Sequence, residues 1–86
     1  MIVRWTSRAI KDLKKITRED RKKIEKAVDE FADSDTGDVR HLVNSNPPRY
    51  RLRVGSLRVI FIRGDAVVEK QINILRVLPR DKAYRQ

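Results

Sequence analysis

The chain has 86 residues, no cysteine, and a formal net charge of +9 with a pI near 10.5. This length allows one small domain, 1–86, with a single core. The missing cysteines exclude disulfides and thiolate chemistry. No run reaches the roughly 7–15 apolar residues of a signal peptide or the ~18 of a membrane span, so neither secretion nor membrane insertion is expected, and the expected location is the cytoplasm.

A basic excess of this size points to nucleic acid, to an acidic protein partner, or to both. Its distribution is uneven. Residues 1–33 hold ten Lys/Arg against seven Asp/Glu, whereas residues 49–86 hold ten against three, and eight of those ten are Arg. The excess therefore sits in the C-terminal half.

In chain order, Met1-Ile2-Val3-Arg4-Trp5 alternates and reads as a short strand, with Trp5 directed to the core. Thr6 or Ser7 then caps a helix in which Ala9, Ile10, Leu13 and Ile16 recur at helical spacing. Thr17-Arg18-Glu19-Asp20 opens a second helix, with a hydroxyl for the third amide and acids in the first turn. Ile24, Ala27, Val28 and Phe31 follow at i, i+3, i+4, i+7, a stripe that covers one face of a sheet. The outer Arg21, Lys22, Lys23 and Lys26 alternate with Glu19, Asp20, Glu25, Asp29 and Glu30, the pattern of a solvated helix face. Residues 33–38 form a loop. Val39 to Asn46 crosses over with Leu42 as a buried anchor, and Pro47-Pro48 forbids a central strand there. The lone His41 has no partner at metal-ligand spacing, so no metal or other cofactor is expected.

The most informative stretch is residues 49–61. Tyr50, Leu52 and Val54 alternate with arginines, then Gly55-Ser56 interrupts, then Leu57, Val59 and Phe61 alternate with Arg58 and Ile60. A two-residue loop with Gly first is the signature of a type II′ hairpin. The register then follows. Val54 stands opposite Leu57, Arg53 opposite Arg58, Leu52 opposite Val59, Arg51 opposite Ile60 and Tyr50 opposite Phe61. One face is apolar, and the other carries Arg51, Arg53, Arg58 and Ile60. Like charges facing each other across a strand pair are unfavourable. Removing Arg53 or Arg58 is therefore expected to leave the fold as stable or more so, and their grouping points to an anion. Guanidinium suits phosphate because its fork binds two oxygens at once. Arg63-Gly64-Asp65 reads as the next turn, Val67 to Leu78 as a long strand, and residues 80–85 as a basic tail. A bulge anywhere from Val67 onward would reverse the face of Arg76. The expected fold is α+β, in the order β-α-α-β-β-β: an antiparallel sheet with a helical hairpin on one face and a basic concave face opposite.

The runs Tyr50-Arg51-Leu52-Arg53-Val54-Gly55-Ser56-Leu57-Arg58-Val59-Ile60-Phe61 and Ile74-Leu75-Arg76-Val77-Leu78-Pro79-Arg80-Asp81-Lys82-Ala83-Tyr84-Arg85, with the helical Ala9-Ile10-Lys11-Asp12-Leu13, resemble the RelE/ParE superfamily of toxins from type II toxin–antitoxin systems. The RelE-like branch implies an mRNA interferase, an endoribonuclease that cleaves mRNA in the ribosomal A site by 2′-hydroxyl attack without metal, inhibits translation, and is neutralised by a cognate antitoxin. On this resemblance the catalytic residues are Arg51, Arg53, Arg58, Arg80 and Tyr84, the last stacking a base. Arg49, Arg76, Lys82 and Arg85 are the further candidates for holding substrate. Some family members carry lysines where this chain has Arg51 and Arg53, and many carry histidine where it has Pro79. Lys82 and the Tyr84 phenol are then the candidates for acid/base work. The resemblance also leaves open a ParE-like toxin that binds DNA gyrase, and the composition leaves open an RNA-binding module without catalysis.

Overall fold

A computed structural model describes residues 1–65 and 70–83. Its elements are β1 (Ile2–Trp5), α1 (Ser7–Lys14), α2 (Arg18–Ser34), β2 (Asp38–His41), β3 (Arg49–Val54), β4 (Leu57–Asp65), β5 (Lys70–Pro79) and α3 (Arg80–Ala83). The strands form one sheet in the order β1-β5-β4-β3-β2. The β2–β5 portion is antiparallel, and β1 runs parallel to β5.

The β3–β4 hairpin has the expected register at all five pairs, from Val54 opposite Leu57 to Tyr50 opposite Phe61. Gly55 takes φ +58°, the left-handed conformation that the first position of the loop requires. The two helices begin where a side-chain oxygen is available. Thr6 Oγ1 accepts the Ala9 amide at 3.2 Å, and Thr17 Oγ1 accepts the Asp20 amide at 3.1 Å. Ala9, Ile24, Val28 and Phe31 on the helices pack against Leu52, Val59, Phe61, Ile72, Ile74 and Val77 on the sheet. Trp5 packs against this core and is partly buried.

Four features differ from the expected order. Residues 38–41 form a fourth antiparallel strand rather than only a crossover, with Val39 packed against the core and the strand completing the edge of β3. The β1–β5 pair is parallel because the two strands are joined through the whole intervening chain and not by a tight turn. Arg63-Gly64-Asp65 continues β4, paired to Ile72, Gln71 and Lys70. Gly64 there marks a close approach and not a turn, since a Cβ would lie 3.1 Å from Gln71 Cγ. The start of the long strand expected at Val67 lies outside the described residues. Finally, the face away from α1 and α2 is not wholly bare. Ile60, Leu78 and Ala83 are buried there in a small second cluster, with Leu42 as its half-buried anchor, so α3 covers part of it.

α1 holds the largest surprise. Ile10 is 44% exposed, whereas Asp12 is buried. The reason lies in β5. β1 ends at Trp5, opposite Ile74, and leaves the edge of β5 open beyond that point. Thr6 Oγ1 donates to the Leu75 carbonyl at 3.2 Å, and Asp12 Oδ2 accepts the Val77 amide at 2.9 Å. The same carboxylate takes Arg76 through Nε at 2.8 Å and Nη2 at 3.2 Å. At this place β5 carries a bulge: Ile60 pairs with Arg76 and Phe61 with Ile74, so Leu75 has no partner across the ladder.

Burial works against the ionised form of Asp12. The hydrogen bonds from Arg76 and Val77, with the charges of Arg76 and Lys15, outweigh it and hold the carboxyl below the usual carboxylate range. A carboxyl with a lowered folded pKa stabilises the fold above its unfolded pKa, and that contribution is lost as pH falls through the folded value. Acidification from about pH 5 to about pH 2 should therefore cost wild type more stability than Asp12→Asn, as read from urea midpoints. Asp12→Ala, which strands a largely buried guanidinium and an edge amide, should cost about 3–5 kcal/mol at neutral pH.

Candidate functional site

Two rows of side chains cross the sheet on the face away from the helical hairpin. In register, one row is Asp38, Arg53, Arg58, Leu78 and the other is Arg40, Arg51, Ile60, Arg76. Both place arginine against arginine on neighbouring strands. Such pairs are unfavourable in isolation. Here they line a cleft of about 240 Å³ together with Arg80, the first residue of α3.

The arginines of this cleft have two kinds of environment. Arg51 and Arg58 form the floor, at 8% and 4% exposure. Arg58 is held rigidly: its Nη1 donates to the Gly55 carbonyl at 2.8 Å and to the Leu57 carbonyl at 2.9 Å. The hairpin turn thus fixes the guanidinium that it also presents. Arg40, Arg53 and Arg80 are exposed and form the rim. The Arg80 amide donates to the Ser56 carbonyl at 3.0 Å, which ties the start of α3 to the hairpin turn. Asp38 completes the rim. Its Oδ2 stands 3.9 Å from Arg53 Nη1, with about half of each side chain exposed. An ion pair so open to water adds little stability.

The burial of Arg58 changes one expectation. Arg58→Ala would remove a packed side chain and the donor to two turn carbonyls, so it should destabilise the domain rather than relieve it. Arg53, on the exposed rim, keeps the original expectation.

Of the residues singled out in the sequence, Arg51, Arg53, Arg58 and Arg80 come together. Arg49 is half-buried at the start of β3, paired with Ile62, and does not line the cleft. Lys82 is exposed on α3 and does not line it either. The bulge sets Arg76 in register with Ile60 on the cleft face, but its guanidinium is drawn to Asp12 at the sheet edge, and this ion pair removes it from the set. Tyr84 and Arg85 lie outside the described residues. Arg40 and Asp38 are additions. Their signal was the alternation of Asp38, Val39, Arg40 and His41, hidden by its shortness and by the loop residues before it.

Other cationic or aromatic residues belong elsewhere. Arg63 lies over the rings of Phe31, Tyr50 and Phe61 at 5.1–5.9 Å, on the core face. His41 packs on Tyr50 with ring centroids 5.3 Å apart. Among the described residues no group of three or more His, Asp or Glu is placed to hold a metal ion, and no helix is long and apolar enough to cross a membrane.

Comparison with known proteins fits this geometry. Residues 3–84 match the family of ParE toxins of type II toxin–antitoxin systems. No curated protein matches the sequence. Among solved structures, the RelB–RelE antitoxin–toxin complex from Methanococcus jannaschii matches with a TM-score of 0.72 and 26% identity, covering 95% of each chain. The toxin–antitoxin complex RelBE2 from Mycobacterium tuberculosis matches with a TM-score of 0.60 and 28% identity, over 92% of this chain and 96% of the other. A YoeB/ParE toxin from Agrobacterium tumefaciens shares the fold at a TM-score of 0.74 but only 13% identity, over 92% and 98% of the two chains. A family match over nearly the whole chain, on a fold shared with these toxins, makes this protein a member of the RelE/ParE superfamily, the toxin of a type II toxin–antitoxin system.

Proposed function

We propose that this toxin is an mRNA endoribonuclease that cleaves message in the ribosomal A site and so stops translation. The observation that carries this reading is the convergence of five arginines, from β2, β3, β4 and the start of α3, on one cleft. Attack of a 2′-oxygen on the neighbouring phosphorus builds negative charge on the phosphoryl oxygens. Guanidinium groups already fixed in place stabilise that charge without reorganising during the reaction. Arg58, locked to two turn carbonyls, is the best prepared of them. Arg51 shares the floor, and Arg53, Arg40 and Arg80 bind the flanking backbone. The resemblance to RelE-like toxins implies that the reaction proceeds without metal, with the nucleophile carried by the substrate. Tyr84 would hold a splayed base by stacking, worth about 1–3 kcal/mol.

The partner is a cognate antitoxin of the RelB kind, as in the complexes from Methanococcus jannaschii and Mycobacterium tuberculosis. The location is the cytoplasm, where translating ribosomes are. A second reading has one observation in its favour: the matching family is described by its ParE toxins, whose ParE-like branch acts on DNA gyrase rather than on RNA. Primer extension on a translated message decides between the two. Breaks confined to ribosome-occupied codons are expected, and an uncut message together with inhibited gyrase supercoiling would favour the second reading.

Two variants probe the cleft itself. Arg53→Ala should lower single-turnover cleavage about 100-fold while leaving the melting temperature unchanged, because the residue is exposed and its ion pair weak. It should also reduce the slope of log K against log salt for RNA binding by about 0.7. Tyr84→Phe should keep most of the cleavage that Tyr84→Ala loses, as stacking requires; equal loss in both would assign the phenol a proton-transfer role instead.

A further inference from the structure

Cleavage by a 2′-hydroxyl needs somewhere for its proton to go. Arginine is a poor acceptor because it stays protonated in proteins. The cleft is lined by five arginines and a single carboxylate, Asp38. Resting on the ribonuclease reading above, we infer that Asp38 is the general base of the reaction.

Three observations place Asp38 for this role. It stands at the head of the row Asp38, Arg53, Arg58, level with the guanidinium that the turn holds most firmly. Its carboxylate is 3.9 Å from Arg53 Nη1, beyond hydrogen-bonding distance, so its lone pairs are open to a donor on the substrate. The backbone before it is tailored to bring it there. Gly37 passes so close over the buried Leu52 that a Cβ would lie 2.7 Å from Leu52 Cδ1, so only glycine lets the chain turn into β2 at this point. An acid whose purpose was only to offset the positive charge could stand anywhere on the rim. This one is delivered to the phosphate-facing row by a constrained approach.

The 2′-O–H bond breaks and its proton passes to an Asp38 carboxylate oxygen. The 2′-oxygen forms a bond to phosphorus, and the bond from phosphorus to the 5′-oxygen breaks. The products are a 2′,3′-cyclic phosphate and a 5′-hydroxyl, the latter taking its proton from water. Arg51 and Arg58 hold the phosphoryl oxygens during the exchange.

The test is single-turnover cleavage of A-site message by wild type, Asp38→Asn and Asp38→Glu, with RNA affinity and the pH–rate profile measured for each. Asp38 is exposed and Asn preserves its shape, so the folds should be alike. Asp38→Asn is expected to cleave about 100-fold more slowly at saturating enzyme, to bind RNA as tightly as wild type or more so, and to lose the acid limb of the pH–rate profile. Asp38→Glu should recover part of the rate. A loss under tenfold in Asp38→Asn overturns the assignment. So does a loss that lies wholly in affinity, which would make Asp38 only a positioning residue for Arg53. A wild-type protein that cuts no message overturns the ribonuclease reading, and this assignment with it, whereas a wild type that cuts alongside an equally active Asp38→Asn sinks the assignment alone.

Discussion

The Val77 amide has no strand to bond, because β1 stops at Trp5, and the carboxylate of Asp12 takes the strand's place. An unmet amide at a buried sheet edge would cost about 1–3 kcal/mol. Asp12 meets it and at the same time pairs Arg76, so one side chain closes both the hydrogen-bond ladder and the local charge. The geometry this locks is the bulge at Leu75. Before the bulge, Ile72 and Ile74 face the helices. After it, Val77 joins the same core while Leu78 turns to the opposite face, beside Ile60 and Ala83. Without the extra residue the alternation would run on unshifted, and Leu78 and the start of α3 would not meet Ile60 as they do. The position of Arg80 at the cleft therefore depends on a carboxylate one sheet edge away.

The cleft shows what such a scaffold has to hold. Two arginine–arginine contacts across strand pairs work against the sheet. They are tolerated because the opposite face of β3 and β4 is packed into the core at Leu52, Val59 and Phe61. Each such apolar side chain contributes about 1.5–3 kcal/mol on burial, more than the repulsion removes. The division into floor and rim follows from the same arrangement. Arg51 and Arg58 lie on inner strands and are buried; Arg40 and Asp38 lie on the edge strand and remain exposed, and so does Arg53, although it shares β3 with Arg51.

Much of this was legible in the chain because it rested on short-range rules. The hairpin register needed only strict alternation and a glycine at the loop, and both are local. The helix stripe Ile24, Val28, Phe31 and the caps Thr6 and Thr17 were local in the same way. What escaped depended on partners far along the chain. Asp12 looks like any solvated helix acid until the early end of β1 leaves an amide for it 65 residues away. β2 is four residues long and earns its identity only from the edge of β3. Gly64 resembles a turn residue, but the ladder it sits in is set by Gln71. The face of Arg76 hung on a bulge that no alternation rule could locate, and although that bulge turns it to the cleft side, its pairing with Asp12 removes it from the site.

The choice of arginine throughout the cleft has a consequence for control. A lysine-based cradle can lose charge when it is desolvated, whereas a guanidinium remains protonated across the physiological range. The positive charge of this surface therefore does not relax with a change of pH in that range. Nor can it be relaxed by small movements of the floor, where Arg58 is bonded to the backbone of its own turn. What can still change is the rim, where Arg40, Arg53 and Arg80 are exposed and the pair of Arg53 with Asp38 is long and open to water. An inhibitor of such a site has two physical routes: to fill the cleft with competing carboxylates, or to pull α3 and Arg80 off the turn carbonyl of Ser56.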